Sequence, residues 1–268
     1  MVYNDAMNKW CPQCQQYLPR YEFYRNAAQS DGLAPYCKPC WRAFCRERHA
    51  RLRVGQPDKR RIQMELVRHD YFHYIERPIQ SYVLGLLASD GNVSSSRPRI
   101  QFSVREEDRM LTEIVRDELA PGSPILTPPC RDYRLAKVCF TSPIMCANLA
   151  ALGVIPRKSH ILIWPDLLPG ALVNSYLLGI LDGDGWITID RRKRTPYYSI
   201  GLMSASPAFL ERAAQEISST LDISPANLSA VNHRAFSIRY GGRSAVLIDA
   251  WLHRDLRGLD RKRIFNQH

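Results

Sequence analysis

No apolar run in this chain approaches the ~18 residues that a membrane-spanning helix needs, and the N-terminus, MVYNDAMNKWC, lacks a charged segment followed by an apolar one. The expectation is a soluble, intracellular (cytoplasmic) protein with no membrane partner. Acid is scarce too: 26 Asp and Glu face 37 Lys and Arg, a formal charge of +11. That balance points to a polyanionic partner, nucleic acid first, although solubility alone is also served by it. No histidine precedes His49, so the first forty residues have no histidine-based chemistry to offer. In a reducing compartment the eight cysteines do not read as a disulfide framework, and close pairs of them read as metal ligands. With 268 residues there is room for roughly two domains of ~150 residues each, and the 45% apolar share is ordinary for a globular protein.

What is present begins with two CxxC knuckles, Cys11-Pro-Gln-Cys14 and Cys37-Lys-Pro-Cys40. Each CxxC turn presents both sulfurs to one side, so the four thiolates can surround a structural Zn²⁺. Between them lie few aliphatics beyond Leu18 and Leu33, and ligation worth ~10 kcal/mol can supply the stability a core would otherwise give. Cys45 and His49, four apart on an expected helix, either replace a ligand or merely pack; Cys130, Cys139 and Cys146 read as ordinary strand or buried residues. Residues 41 to 61 hold eight Lys or Arg against two Asp or Glu, either a solvated helix face or a phosphate-contacting arm. Gly55 and Pro57 mark a hinge. The expected organisation is a zinc-binding module with a basic helix over 1–54, a linker over 55–71, and repeats over 72–165 and 166–268.

The repeats are announced by SYVLGLLASDG at 81 to 91 and SYLLGILDGDG at 175 to 185, identical at seven of eleven positions. After each come two strand-like runs, a helix, two more runs and a last helix. In the first copy these are IQFSV at 100 to 104, the helix DRMLTEIVRDEL, runs near Pro124 to Thr127 and Tyr133 to Thr141, and a helix opened by Ser142-Pro143. The second has runs near Ile187 to Asp190 and Tyr197 to Met203, a helix after Ser206-Pro207, runs at Leu228 to Val231 and Ala235 to Tyr240, and a helix over Ser244 to Leu252. The fold class is therefore α+β, two αββαββα units of antiparallel sheet. Gly85 with Ser89 and Gly179 with Gly183 give each motif helix a face of small residues, so the two backbones can approach across a pseudo-twofold axis with Leu84, Leu87, Leu178 and Leu181 beside them.

Such packing brings Asp90 and Asp184 together at the negative ends of two helices, where two carboxylates repel unless a cation sits between them. Oxygen ligands suit Mg²⁺, with Gly91 and Gly185 counted beside the two acids, and phosphodiester hydrolysis is the chemistry such a site serves. For one copy alone, an aspartate turning into glycine is just a helix end; two copies favour catalysis. Base reading in a DNA groove needs long polar side chains on alternate strand positions, and Gln101, Arg131, Arg134, Lys137, Asn232, Arg234 and Arg239 offer them, with Arg191, Arg192, Lys193 and Arg194 at a hairpin tip.

With FHYIERPIQSYVLGLLASDG leading in and LGVIPRKS closing the first copy, residues 72 to 268 resemble the LAGLIDADG homing endonucleases in their two-repeat, single-chain form. The resemblance implies saddle-shaped sheets lying on a long, pseudo-palindromic double-stranded DNA target, a monomer, and a Mg²⁺-dependent endonuclease carried by a phage or mobile element and promoting mobility of an intron or of its own gene. It further implies that Lys158 and Lys262, in the basic ends PRKS and DRKR, support the reacting water or the developing charge, a contact with phosphate being the alternative. Ser103, Arg105 and Ser204 fall where the family places solvent-organising residues. Ala88 stands where the second motif has Asp182, a difference with no expected consequence. The segment from Lys9 to Arg48 is similar to the zinc-binding module heading several phage and mobile-element endonucleases. A catalytically silent DNA-binding regulator and an RNA maturase are the alternatives; an intein lacks support in the flanking residues.

Overall fold

The computed structural model describes residues 8–53, 65–192 and 195–264, and the chain divides into two compact units, Met1–Lys59 and Arg60–His268.

In the first unit, β1 (Asn8–Cys11) and β2 (Gln16–Pro19) form an antiparallel hairpin with Cys11 opposite Gln16. A second pair, β3 (Phe23–Arg25) and β4 (Leu33–Cys37), runs directly into helix α1 (Lys38–Arg53). One cysteine knuckle is thus the β1–β2 turn, closed by Gln15 at φ 54°, and the other is the strand-to-helix junction. Among the described residues, Cys11, Phe23 and Cys37 form the buried centre of its apolar cluster, so packing alone does little to order this unit.

The second unit repeats one motif. Helix α2 (Pro78–Ser89) is followed by β5 (Gly91–Val93), β6 (Arg99–Arg105), α3 (Arg109–Leu119), β7 (Pro129–Cys130), β8 (Tyr133–Thr141) and α4 (Pro143–Ala151). The second copy follows in the same order: α5 (Val173–Asp184), β9 (Trp186–Asp190), β10 (Tyr197–Ser204), α6 (Pro207–Leu221), β11 (Ser229–Asn232), β12 (Ala235–Gly241) and α7 (Arg243–Leu252). Each copy makes a four-stranded antiparallel sheet of the same order, β5-β6-β8-β7 and β9-β10-β12-β11. Both expected αββαββα units are therefore present.

Local chemistry explains the boundaries. Ser142 and Ser206 cap α4 and α6, their hydroxyls accepting from Met145 N at 3.1 Å and Phe209 N at 3.4 Å, with proline in the next position where its missing N–H costs nothing. Alternation in β6 and β8 buries Ile100, Phe102, Val104, Ala136, Val138 and Phe140 and turns Gln101, Ser103, Lys137 and Cys139 to the other face. The strand expected near Pro124 to Thr127 is reduced to a single bridge between Leu126 and Lys137, and regular pairing waits until Pro129, because Pro124, Pro128 and Pro129 have no N–H to give a ladder. Met110, in the expected helix DRMLTEIVRDEL, is 45% exposed. Residues 54–64 lie outside the described residues; Val67 and Tyr71, from the end of the expected linker, are buried in the core of the second unit.

The centre of that core is the α2–α5 pair. A Cβ on Gly85 would lie 3.0 Å from the Gly179 Cα and collide with the Tyr176 carbonyl; one on Gly179 would lie 2.9 Å from the Gly85 Cα and collide with the Tyr82 carbonyl. The contacts are reciprocal, as a pseudo-twofold axis between the helices requires. Leu84, Leu87, Leu178 and Leu181 are all buried alongside.

Candidate active site

The two motif helices stop within one residue of each other, α2 at Ser89 with Asp90 as its cap and α5 at Asp184 with Gly185 as its cap. The Asp90 N–H closes the last turn of α2 on Leu86 O at 3.0 Å, and Gly185 N–H does so for α5 on Leu181 O at 2.9 Å. A side chain at Gly91 or Gly185 would run into the backbone of Leu87 or Leu181, so only glycine lets the chain leave the helix this tightly and enter the first strand of its sheet. The crossing of the helices continues to this end: a Cβ on Gly183 would meet Ser89 and lie 2.8 Å from the Asp90 Oδ2. The Asp90 carboxylate thus rests against the end of the opposite helix, as the small residues at 89 and 183 imply.

Electrostatics at this junction are strained. Burial, followed by the charge of Asp184, pushes Asp90 from 3.8 up to about 6. Asp184 is more open to solvent, yet desolvation raises it too, with Lys158 and then Lys262 acting against the shift. Two buried lysines flank the acids, 7% and 6% exposed. Lys158 Nζ donates to Ser89 O at 3.2 Å and to Gly91 O; Lys262 Nζ donates to Leu181 O at 2.8 Å, Asp182 O at 2.7 Å and Gly183 O at 3.2 Å. Each lysine therefore caps the orphan carbonyls of the helix in its own repeat. Desolvation lowers both ammonium groups, while the aspartates hold them up. Their reach is crossed: among the lysines, Asp90 feels Lys262 more than Lys158, and Asp184 feels Lys158 more than Lys262.

Two carboxylates whose proton affinities are raised by desolvation, two helix C-termini and adjoining carbonyls form an oxygen donor set of the kind a hard divalent cation takes. Of the glycines counted as ligands, Gly91 already has its carbonyl engaged by Lys158. In the first unit, Cys11, Cys14, Cys37 and Cys40 bring their sulfurs within 4.8 Å of one another, and among the described residues no other cluster of three or more potential metal ligands does so. Four thiolates ~2.3 Å from a tetrahedral zinc lie ~3.8 Å apart, and Cys14 and Cys37 are separated by 3.9 Å. Burial works against ionisation of Cys11, but amide hydrogen bonds from Cys37, Cys14 and Gln13 outweigh it and bring the thiol down to about 6. Cys45 is outside this group, and the side chain of His49 is outside the described residues.

The expected DNA-reading residues fall into two sets. Gln101 and Lys137 lie on the face of the first sheet opposite its core, and Arg239 on the corresponding face of the second, its Nη2 2.9 Å from Ser199 Oγ. Arg131, at φ 53°, forms the β7–β8 turn, Arg234 the β11–β12 turn, and Arg191 and Arg192 follow β9. Arg134 is exposed and donates to Thr127 O at 3.2 Å, while Arg192 pairs with Asp190 at 3.0 Å. Lys193 and Arg194 lie outside the described residues. Of the remaining polar positions, Ser103 lies opposite Lys137, Arg105 stacks on Tyr133 at 5.0 Å, and Ser204 accepts from Ser206 N at 3.1 Å.

Three participants escaped the sequence reading. Trp186 lays its ring over Gly201 on the open face of the second sheet, directly after Gly185. Asp108 holds Arg261, beside Lys262, at 2.6 Å and contributes to the fields at Asp90 and Lys262. Asp182 is 2% exposed and accepts from Tyr82 OH at 2.6 Å. For Asp182 the signal was available, since a carboxylate in an otherwise apolar helix face requires a partner; for the others no pattern existed.

No protein-family model matches the chain, and no curated protein matches it in sequence. Several solved structures are similar in fold. The N-terminal LAGLIDADG domain of DUF199/WhiA superposes with a TM-score of 0.44 at 15% identity, covering 73% of this chain and 88% of that one. I-DmoI in complex with DNA and Ca gives 0.44 at 15% identity over 65% and 88% of the two chains. The LAGLIDADG meganuclease I-AabMI bound to uncleaved DNA gives 0.46 at 12% identity over 70% and 87%. The likeness is in the path of the chain, at low identity, and says nothing of what this protein does.

Proposed function

We propose that this protein is a Mg²⁺-dependent, site-specific double-strand DNA endonuclease of the homing type. One observation carries the reading: the two motif helices pack backbone to backbone and end at Asp90 and Asp184, whose proton affinities are both raised by burial, the charge of Asp184 adding to the shift at Asp90. Such a pair is costly without a cation and useful with one. A divalent cation bound there supplies charge neutralisation and Lewis acidity toward a phosphodiester. Asp90 and Asp184 are the residues that hold it. Lys158 and Lys262 keep a positive charge at each helix end, fixed by the carbonyls they bond, where negative charge builds on the phosphate.

Two such acids and two such lysines, one of each per repeat, match two scissile strands. The repeats differ in the side chains on their open sheet faces, so the target is long and only pseudo-palindromic, read by Gln101, Lys137 and Arg239 with the turn arginines contacting phosphate. The protein acts as a monomer inside the cell, and its gene travels with a phage or mobile element. The cysteine unit holds a structural Zn²⁺ and docks on flanking DNA.

The test is cleavage of plasmid carrying the DNA that surrounds the gene's insertion site, in Mg²⁺ and then in Ca²⁺. Mg²⁺-dependent linearisation is expected, with Asp90→Asn and Asp184→Asn binding the same DNA but leaving it intact. Specific binding with no cutting in Mg²⁺ would replace the nuclease by a silent DNA-binding regulator.

A further inference from the structure

The two halves of this site are not equivalently built. Tyr82 and Tyr176 occupy corresponding positions on the two motif helices, and both are buried. Tyr82 OH donates to Asp182 Oδ2 at 2.6 Å, whereas the Tyr176 hydroxyl has no hydrogen-bond partner among the described residues, the position corresponding to Asp182 being Ala88. The same Asp182 oxygen accepts from Leu259 N at 3.0 Å, and glycine at 258, φ 63°, keeps the chain clear of it: a Cβ there would lie 2.8 Å from that oxygen.

Leu259 opens the turn that carries Lys262, and the turn is anchored again beyond it. Ile264 N donates to Asp249 Oδ1 at 3.3 Å, and Asp249 is fully buried on α7 beside His253, whose Nδ1 lies 3.3 Å from the same oxygen. Lys262 thus sits between two backbone amides, each held by a buried carboxylate, and its Nζ bonds the Asp182 carbonyl as well. Among the described residues the first repeat has no counterpart: the buried residues of α4 are Met145 and Leu149, and Lys158 follows Arg157, which adopts φ 58°, a left-handed conformation unfavourable to an arginine.

We infer that Asp182 and Asp249 are positioning residues that brace Lys262 and so make the half-site that Lys262 serves the faster of two unequal strand-cutting centres. This rests on the nuclease reading proposed above. A buried carboxylate bonded to a backbone amide is a costly device to maintain in a core, and here both copies of it converge on one turn, at its Leu259 and Ile264 amides. An ammonium held in place loses no freedom when charge develops on the phosphate; one free to swing must be ordered first. Cutting should accordingly proceed through a nicked intermediate broken always in the same strand.

The experiment follows each strand of a supercoiled plasmid separately, for the wild-type protein and for Asp182→Ala, Tyr82→Phe, Lys262→Ala and Lys158→Ala. The lysine variants assign a strand to each half-site. Asp182→Ala is expected to slow the Lys262 strand roughly tenfold to a hundredfold while the Lys158 strand keeps its rate, with Tyr82→Phe giving a smaller loss on the same strand. Amide hydrogen exchange on the DNA-free, metal-free protein is read in parallel, and Asp182→Ala should speed exchange at Leu259 by about tenfold or more without loosening the β9–β12 sheet. Equal slowing of both strands, or exchange at Leu259 unchanged, overturns the inference. If the wild-type protein does not cut at all, the nuclease reading fails instead, and the exchange data still decide whether Asp182 holds the turn.

Discussion

Asp90 is where the cost of the site is concentrated. Its carboxyl takes up a proton near 3.8 in the unfolded chain and near about 6 when folded, chiefly because burial disfavours its charge and then because Asp184 is close. A folded-state proton affinity above the unfolded one means that acid favours folding. The contribution is complete below ~4 and is lost as pH climbs through about 6, amounting to ~3 kcal/mol at most. In metal-free solution, Asp90→Asn should therefore unfold several degrees higher than the wild type at pH 8, with the difference shrinking toward pH 4. Mg²⁺ should stabilise the wild type at pH 8 and leave the variant unmoved. Thermal unfolding scans across pH, with and without Mg²⁺, provide the check; a variant as sensitive to pH and Mg²⁺ as the wild type would remove the strain from Asp90. The identity of the acids was legible in sequence because both copies end in Asp-Gly. Asp108 was not, since its charge reaches Asp90 through chain folding that no local pattern encodes.

Among elements, α2 and α5 decide whether two halves become one molecule. Gly85 and Gly179 let carbonyls pass where any Cβ would collide with backbone, and backbone cannot rotate away as a side chain can. Gly179→Ala should cost about 3 kcal/mol or more and lower the denaturant midpoint of the Arg60–His268 unit. Gly170, with nothing within 4 Å of a Cβ, is the matched control, and Gly170→Ala should change the midpoint little. Urea titration of both variants measures the difference; equal midpoints would mean that the helices slide apart at no cost. Periodicity and capping made these elements readable, Ser142-Pro143 and Ser206-Pro207 especially, because their causes are local. Tertiary pairing prevailed where local signals were weak: the apolar stretch near Leu126 holds one bridge, since prolines on both sides of it withhold the donors a strand needs.

At the scale of the whole molecule, two units are stabilised by different means. The Arg60–His268 unit has one continuous apolar cluster running through both repeats, whereas the buried centre of the Met1–Lys59 unit is Cys11, Phe23 and Cys37. Two of those three belong to the four-cysteine group, so the small unit's core overlaps its candidate metal site. Removing ligands should then unfold one unit and spare the other. The double variant Cys37→Ser, Cys40→Ser avoids stripping Mg²⁺ from the acid pair, as a chelator would. It is expected to lose stoichiometric zinc and the slow amide exchange of β1 to β4, and to expose Trp10 and Trp41 further, while the main thermal transition stays within a degree or two of the wild type. A zinc-free variant that keeps its exchange protection would show that packing, not metal, holds the small unit. A main transition that falls with the zinc would show instead that the two units share their stability, which their separate apolar clusters argue against.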